Sequence, residues 1–201
     1  MFYDPAEGHG LPHDPLKALI VPRPIGWIST VDREGRPNLA PYSFFNAVSE
    51  RPAIVMFASA GYKDSATNAE ATGEFVCSLA TWDLRQAVNL TSAPAPPGVS
   101  EFGLAGLTPT PSVKVRPPRV GESPVALECV YLETVRLAGR DGRPAPYVVV
   151  FGEVVGVHIA DAVLVDGIVD PGLLRPIARL GGRDYTVVEA ASVFQMTRPT
   201  S

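Results

Sequence analysis

The chain has 201 residues, 46% of them hydrophobic, which suits one globular domain with a single sizeable core. A net charge of −4 and a pI near 5.4 supply no positive field for nucleic acid or for an anionic membrane surface, so any phosphate must be held by local groups. Eighteen glycines and 21 prolines favour many strands joined by punctuated turns over a helical protein, which places the chain in a β-rich α+β class.

Residues 1–18 read as an irregular arm, because Pro5, Pro12 and Pro15 break any period and Gly8 and Gly10 loosen it. The arm has no basic segment followed by an apolar one, and no apolar run approaches membrane-spanning length, so a soluble cytoplasmic protein is expected. Ile25, Trp27, Ser29 and Val31 alternate with Gly26, Ile28 and Thr30, a strand period; residues 32–36 then make a turn and 37–40 return as a hairpin. Around Tyr42, Ser43 and Asn46, after Pro41, a bulged edge with exposed backbone is expected. The continuous apolar run 53–58 suits a strand buried on both faces.

A short helix through 66–71, capped by Asp64 or Ser65 and stopped by Gly73, precedes a strand at 74–79 and a second helix over 83–90. The stretch 91–124, with Pro94, Pro96, Pro97, Pro109, Pro111, Pro117 and Pro118, must be mostly loop, with one helical turn within 101–107. Two long apolar strands, 125–137 and 147–159, form a hairpin through the glycine-containing stretch 138–144. The tail predicts a weak strand at 163–165, a helix starting near Asp170 and a glycine turn at 180–185. About seven strands and two or three helices fit a small closed or split barrel, one domain over 19–198 after the arm.

Three polar clusters carry the chemistry. Lys63 just before a helix start puts an ammonium beside free backbone N–H groups, a corner that binds phosphate, with Asp64, Ser65 and Asn68 on the first turns. Ser29 and Thr30 end an apolar strand with two hydroxyls. Tyr42, Ser43 and Asn46 lie on the expected edge, where Trp27, Phe44 and Phe45 are either an apolar wall or core. Each cluster alone has a structural explanation; together they are what a mononucleotide needs. Cys77 and Cys129 sit inside apolar runs and read as buried thiols, and His9 and His13 have no partners at ligand spacing, so no metal site is expected. His158, outside the arm, is either a satisfied strand histidine or a proton donor. No glycine-rich dinucleotide fingerprint, P-loop or hydrolase elbow occurs.

The runs PRPIGWISTVDREGRPNLAPYSFFNAVSERPAIVMF, KDSATNAEATGEFVCSLAT and GVSEFGLAGLTPTPSVKVRPPRVGESPVALEC, in that order, resemble the flavin reductase-like family of FMN-binding split-barrel proteins. The resemblance spans about residues 19 to 158 and is looser beyond. It implies a homodimeric split β-barrel with FMN at or near the subunit interface. On matching positions it puts Ser29 and Thr30 at the phosphate or ribityl part with Arg23 nearby, Tyr42, Ser43 and Asn46 along the ring or ribityl edge, and Lys63, Asp64, Ser65 and Asn68 at the phosphate end. Ser65 stands where threonine is expected and keeps the hydroxyl.

The family often carries a histidine at the position of His158, and Arg179 and Tyr185 in the tail are candidates to close over the flavin. The activity implied is an NAD(P)H-dependent flavin reductase, with NADH or NADPH as co-substrate and electrons passing to a small-molecule acceptor or a partner oxygenase. The other reading of the same barrel is an FMN or haem carrier or sensor without turnover.

Overall fold

A computed structural model describes residues 1–95 and 99–199, so Pro96 and Pro97 of the proline-rich stretch and Gly98 at the head of the third matching run lie outside the described residues. Seven strands form one antiparallel sheet: β1 (Gly26–Val31), β2 (Pro37–Tyr42), β3 (Phe45–Glu50), β4 (Ala53–Ala60), β5 (Glu74–Leu79), β6 (Val125–Ala138) and β7 (Pro144–Ile159). Their order is β2-β1-β5-β6-β7-β4-β3. The two edge strands, β2 and β3, are joined only by Ser43 and Phe44, so the sheet has to curl until its edges meet. At that seam a Cβ on Gly26 would come within 2.5 Å of the Phe45 ring, a close approach that only glycine permits. The result is a split barrel, one of the two forms the strand count allowed and the one the resemblance implied.

The first hairpin pairs Thr30 with Asn38 and Gly26 with Tyr42. Its turn is held by Asp32, whose Oδ1 accepts from the N–H groups of Glu34 and Arg36 while Gly35 supplies the positive φ of 81°. The long hairpin β6–β7 is twisted by register shifts around Val154 and Gly156, and a Cβ on Gly152 would strike the Phe75 ring at 2.3 Å.

The core has two parts because β1 is buried on both faces. Ile28 points into a cluster with Phe57, Phe75, Cys129 and Val150, plugged by Ala66 and Ala69 of the helix over Asp64–Thr72. Trp27 points the other way, into a cluster with Leu39, Val88, Phe102 and Val120. Among the described residues the five α-helices are short: α1 (Leu16–Leu19), α2 (Asp64–Thr72), α3 (Arg85–Leu90), α4 (Glu101–Leu104) and α5 (Pro171–Leu174).

Several expectations are corrected. β4 is not buried on both faces; Val55, Phe57 and Ser59 alternate with more exposed neighbours, because one face packs on the core and the other is outward. The residues after Ser43 form the regular edge strand β3, with a bulge only between Ala47 and Ser49. In helix α2 the N-cap position falls on Lys63, in extended conformation, and no side chain caps the first turn; Asp64 is already its first residue. Helix α3 starts two residues later than expected. The tail adds an unforeseen three-stranded sheet in which Arg23–Pro24 pairs with Ile177–Arg179, itself paired with Tyr185–Val187.

Candidate active site

A groove runs along the β2 edge and past the start of α2 as three adjoining cavities. One of about 450 Å³ is lined by Asp32, Arg36, Asn38, Asp64, Asn68 and Glu101. The next, of about 330 Å³, shares Asn38, Asp64 and Glu101 and adds Tyr42, Lys63 and Ser65. The third, of about 480 Å³, shares Tyr42 and Lys63 and adds Arg23, Ser43, Phe44, Tyr147 and Arg179. Charge changes sign along it: the first stretch holds three carboxylates against Arg36, whereas the last holds Lys17, Arg23, Lys63 and Arg179 against Asp14. An anion is therefore favoured from Lys63 onward.

The groove floor is a hydroxyl–amide network. The Asn38 amide donates to Ser65 Oγ at 2.9 Å and to Thr30 Oγ1 at 3.3 Å, and the Asn68 amide donates to the same Thr30 oxygen at 3.2 Å. With their side-chain nitrogens engaged on buried Thr30 and Ser65, the two amides, both lining the groove, keep their carbonyl oxygens as acceptors. Ser65, having accepted from Asn38, keeps its own O–H to donate. Beside it the Tyr42 phenol has its pKa raised, chiefly by burial, and its ring packs on Phe57 with centroids 4.9 Å apart. Lys63 is exposed, and the first turn of α2 has no side-chain cap, so its N–H groups and the ammonium share one corner.

The structure brings Tyr42, Ser43, Lys63, Asp64, Ser65, Asn68, Arg23 and Arg179 to this groove, with Thr30 directly beneath. It separates the others. Ser29, on the opposite face of β1 from Thr30, donates to the Pro118 carbonyl and pins the proline-rich excursion. Asn46 is exposed on β3, its side-chain oxygen taken by the Ala47 N–H. Tyr185 lines a different cavity, although its hydroxyl accepts from Arg179.

His158 is bound to Glu128 Oε1 at 2.5 Å, and Glu128, fully buried, also accepts from the backbone N–H groups of Val113 and Lys114. Burial pushes the Glu128 pKa up, but the bonds from His158, Val113 and Lys114 outweigh it and hold the carboxyl below its ordinary value.

Arg23 lies in the groove wall as a staple. Its guanidinium donates to the carbonyls of Lys17, Ile20 and Leu180, tying the arm and the tail to the barrel. Burial and the neighbouring Arg179 lower its pKa. Asn38 was not singled out in the sequence, although the hairpin register that sets it opposite Thr30 was legible. Glu101, whose carboxylate accepts from the Leu39 N–H at 3.1 Å and so satisfies the outer edge of β2, could not be foreseen. Burial raises the Cys77 thiol to about 12 and pushes Cys129 up as well, which leaves both unreactive.

The flavin reductase-like domain model matches residues 18–170. The chain belongs to the flavin reductase-like family. It is 36% identical over 191 residues to a protein of Halalkalibacterium halodurans, covering 92% of this chain and 90% of that one. Among solved structures it is similar to nitrilotriacetate monooxygenase component B from Bacillus cereus, at 34% identity, a TM-score of 0.87 and 98% coverage of both chains. It is also similar to the Pseudomonas fluorescens 2-nitrobenzoate 2-nitroreductase, at 27% identity and a TM-score of 0.80, covering 92% of this chain and 89% of that one. The flavin reductase-like chain is thus a split-barrel flavoprotein of the oxidoreductase class. Among the described residues no helix is long and apolar enough to cross a membrane, and no group of three or more His, Cys, Asp or Glu side chains stands together as metal ligands.

Proposed function

We propose that the groove holds FMN and that the protein is an NAD(P)H-dependent flavin reductase. The observation that carries this reading is the uncapped α2 N-terminus with Lys63 beside it, opening on a groove whose charge turns positive there. The donor set fits the cofactor: Lys63 and the first-turn N–H groups suit a phosphate, the Asn38 and Asn68 carbonyl oxygens suit ribityl hydroxyls, and the Tyr42–Phe44 edge with Tyr147 suits a flat ring. The chemistry a flavin supplies when bound there is hydride acceptance from NADH or NADPH and onward transfer to a second acceptor. The chain's own groups bind, orient and exclude water. Arg179, on the groove wall with no carboxylate partner among the described residues, is suited to a phosphate of the nicotinamide nucleotide.

The reading extends to one flavin reductase-like domain over 19–198, working in the cytoplasm as a homodimer. Val130 and Leu132 of β6 and Val155, Val157 and Ile159 of β7 are exposed apolar side chains, which a second copy would cover. Likeness across the full length to a monooxygenase component supports a partner oxygenase as the electron acceptor. The test is the visible spectrum of protein mixed with FMN, then NADH or NADPH added without oxygen. Bound flavin bleached by either nucleotide is expected. Flavin that binds and stays oxidised would leave a carrier, and no binding would remove both readings.

A further inference from the structure

A cavity of about 500 Å³ lies outside the groove, between α3 and the hairpin of Ile177–Arg179 and Tyr185–Val187. Its walls are two aromatic rings, Trp82 at 36% exposure and Tyr185 at 40%, over a floor of Ile177 and Val187. Arg85, Gln86 and Asn89 of α3 supply the polar side. No carboxylate lines it, whereas each of the three groove cavities has at least one. In a chain of net charge −4 that composition favours an anion.

The two arginines around Trp82 differ. Arg175, 5.6 Å from the ring centroid, is paired with Asp83 at 3.6 Å and Glu189 at 3.5 Å. Arg85 is held 4.0 Å over the ring centroid and gives one N–H to the Trp82 carbonyl at 2.7 Å, but it meets no carboxylate among the described residues. The stack and the carbonyl bond fix the guanidinium in place. Its remaining N–H groups form a pre-set donor edge beside an apolar slot. Guanidinium edges of this kind match a carboxylate, and the two rings match a flat apolar body.

We propose that this cavity is a second binding site, distinct from the flavin groove, for a planar aromatic carboxylate. The carboxylate meets Arg85, with the Gln86 and Asn89 amides as neutral partners, and the ring lies against Trp82 and Tyr185. The volume is within the ordinary range for a site enclosing a one- or two-ring molecule.

The experiment is calorimetric titration of the full chain with 2-naphthoate and with 2-naphthamide, each with and without excess FMN. Binding of 2-naphthoate that persists in FMN, and is about tenfold tighter than that of the amide, is the expected result, tenfold being the loss for one charge-assisted contact. Arg85→Gln should lose about the same tenfold for the acid and nothing for the amide. The acid–amide difference on the unaltered chain carries the same test should that variant fold poorly. No binding of the acid, equal binding of acid and amide, or displacement by FMN would overturn the proposal, the last by returning the ligand to the groove. Since FMN enters only as a competitor, absence of flavin binding would sink the groove reading and leave this one standing.

Discussion

Two buried polar clusters sit in different parts of the barrel, and they differ in what they leave over. At Glu128 every strong bond is spent inside the protein: one carboxylate oxygen takes His158 and the Val113 N–H, and the other takes the Lys114 N–H. At Thr30 the network stops short. Asn38 and Asn68 spend their N–H groups on buried hydroxyls and keep acceptors at a groove, next to a helix start that nothing caps. A saturated cluster stabilises the fold, while an unsaturated one beside a cavity is available to a ligand. In that contrast His158 is a member of the saturated cluster, bound to the carboxylate that holds the Val113 and Lys114 N–H groups.

The comparison is broken most forcefully by Glu128→Ala. Removing one partner of a buried pair costs on the order of 3–5 kcal/mol, so thermal unfolding should fall by on the order of 10 °C. FMN affinity of the still-folded protein at low temperature should not change; a loss of affinity without a loss of stability would put Glu128 in the site. Lys63→Glu should do the reverse. The charge reversal at the α2 start should weaken FMN about 100-fold by fluorescence titration while the melting temperature stays within about 2 °C.

Asn38→Ala sharpens the contrast within the groove, since it releases Ser65 and Thr30 together. An affinity loss of about tenfold is expected, with a small loss of stability. Unaltered FMN binding in this variant would mean that the network beneath the groove is only packing. The smallest effect is the acid limb. The Glu128 carboxyl titrates below its ordinary 4.5 when folded, so its contribution is complete above that value and is lost as pH falls through the lower, folded one. Denaturant midpoints measured downward from pH 5 should decline less steeply in Glu128→Ala than in the unaltered chain.

Much of the barrel was readable because its signals are local. The turn 32–36 with Asp32 and Gly35, the long apolar strands read over 125–137 and 147–159, and the Gly73 helix stop all speak within a few residues. What was missed depends on distant chain. The segment after Pro41 was read as a bulged edge, and its regular pairing with β4 over residues 45–47, with the bulge deferred to Ala47–Ser49, is set by that distant partner. Arg23–Pro24 pairs with residues more than 150 positions away, which no window reveals.

In the site, the Lys63 corner was legible as a lysine before a helix. Grouping Ser29 with Thr30 overlooked the alternation that sends adjacent strand residues to opposite faces. The hairpin register placing Asn38 beside Thr30 was available from the same turn, and would have found the residue that organises the groove floor.

The central claim is that the Lys63 groove holds a flavin by its phosphate, and the most direct measurement is a parallel titration of the purified chain with FMN and with riboflavin. The two ligands share the ring and ribityl chain and differ only in the phosphate. FMN should bind about 100-fold tighter, the difference expected when a helix start and an ammonium both meet that phosphate. Equal affinities would contradict the account and return Lys63 to the solvent.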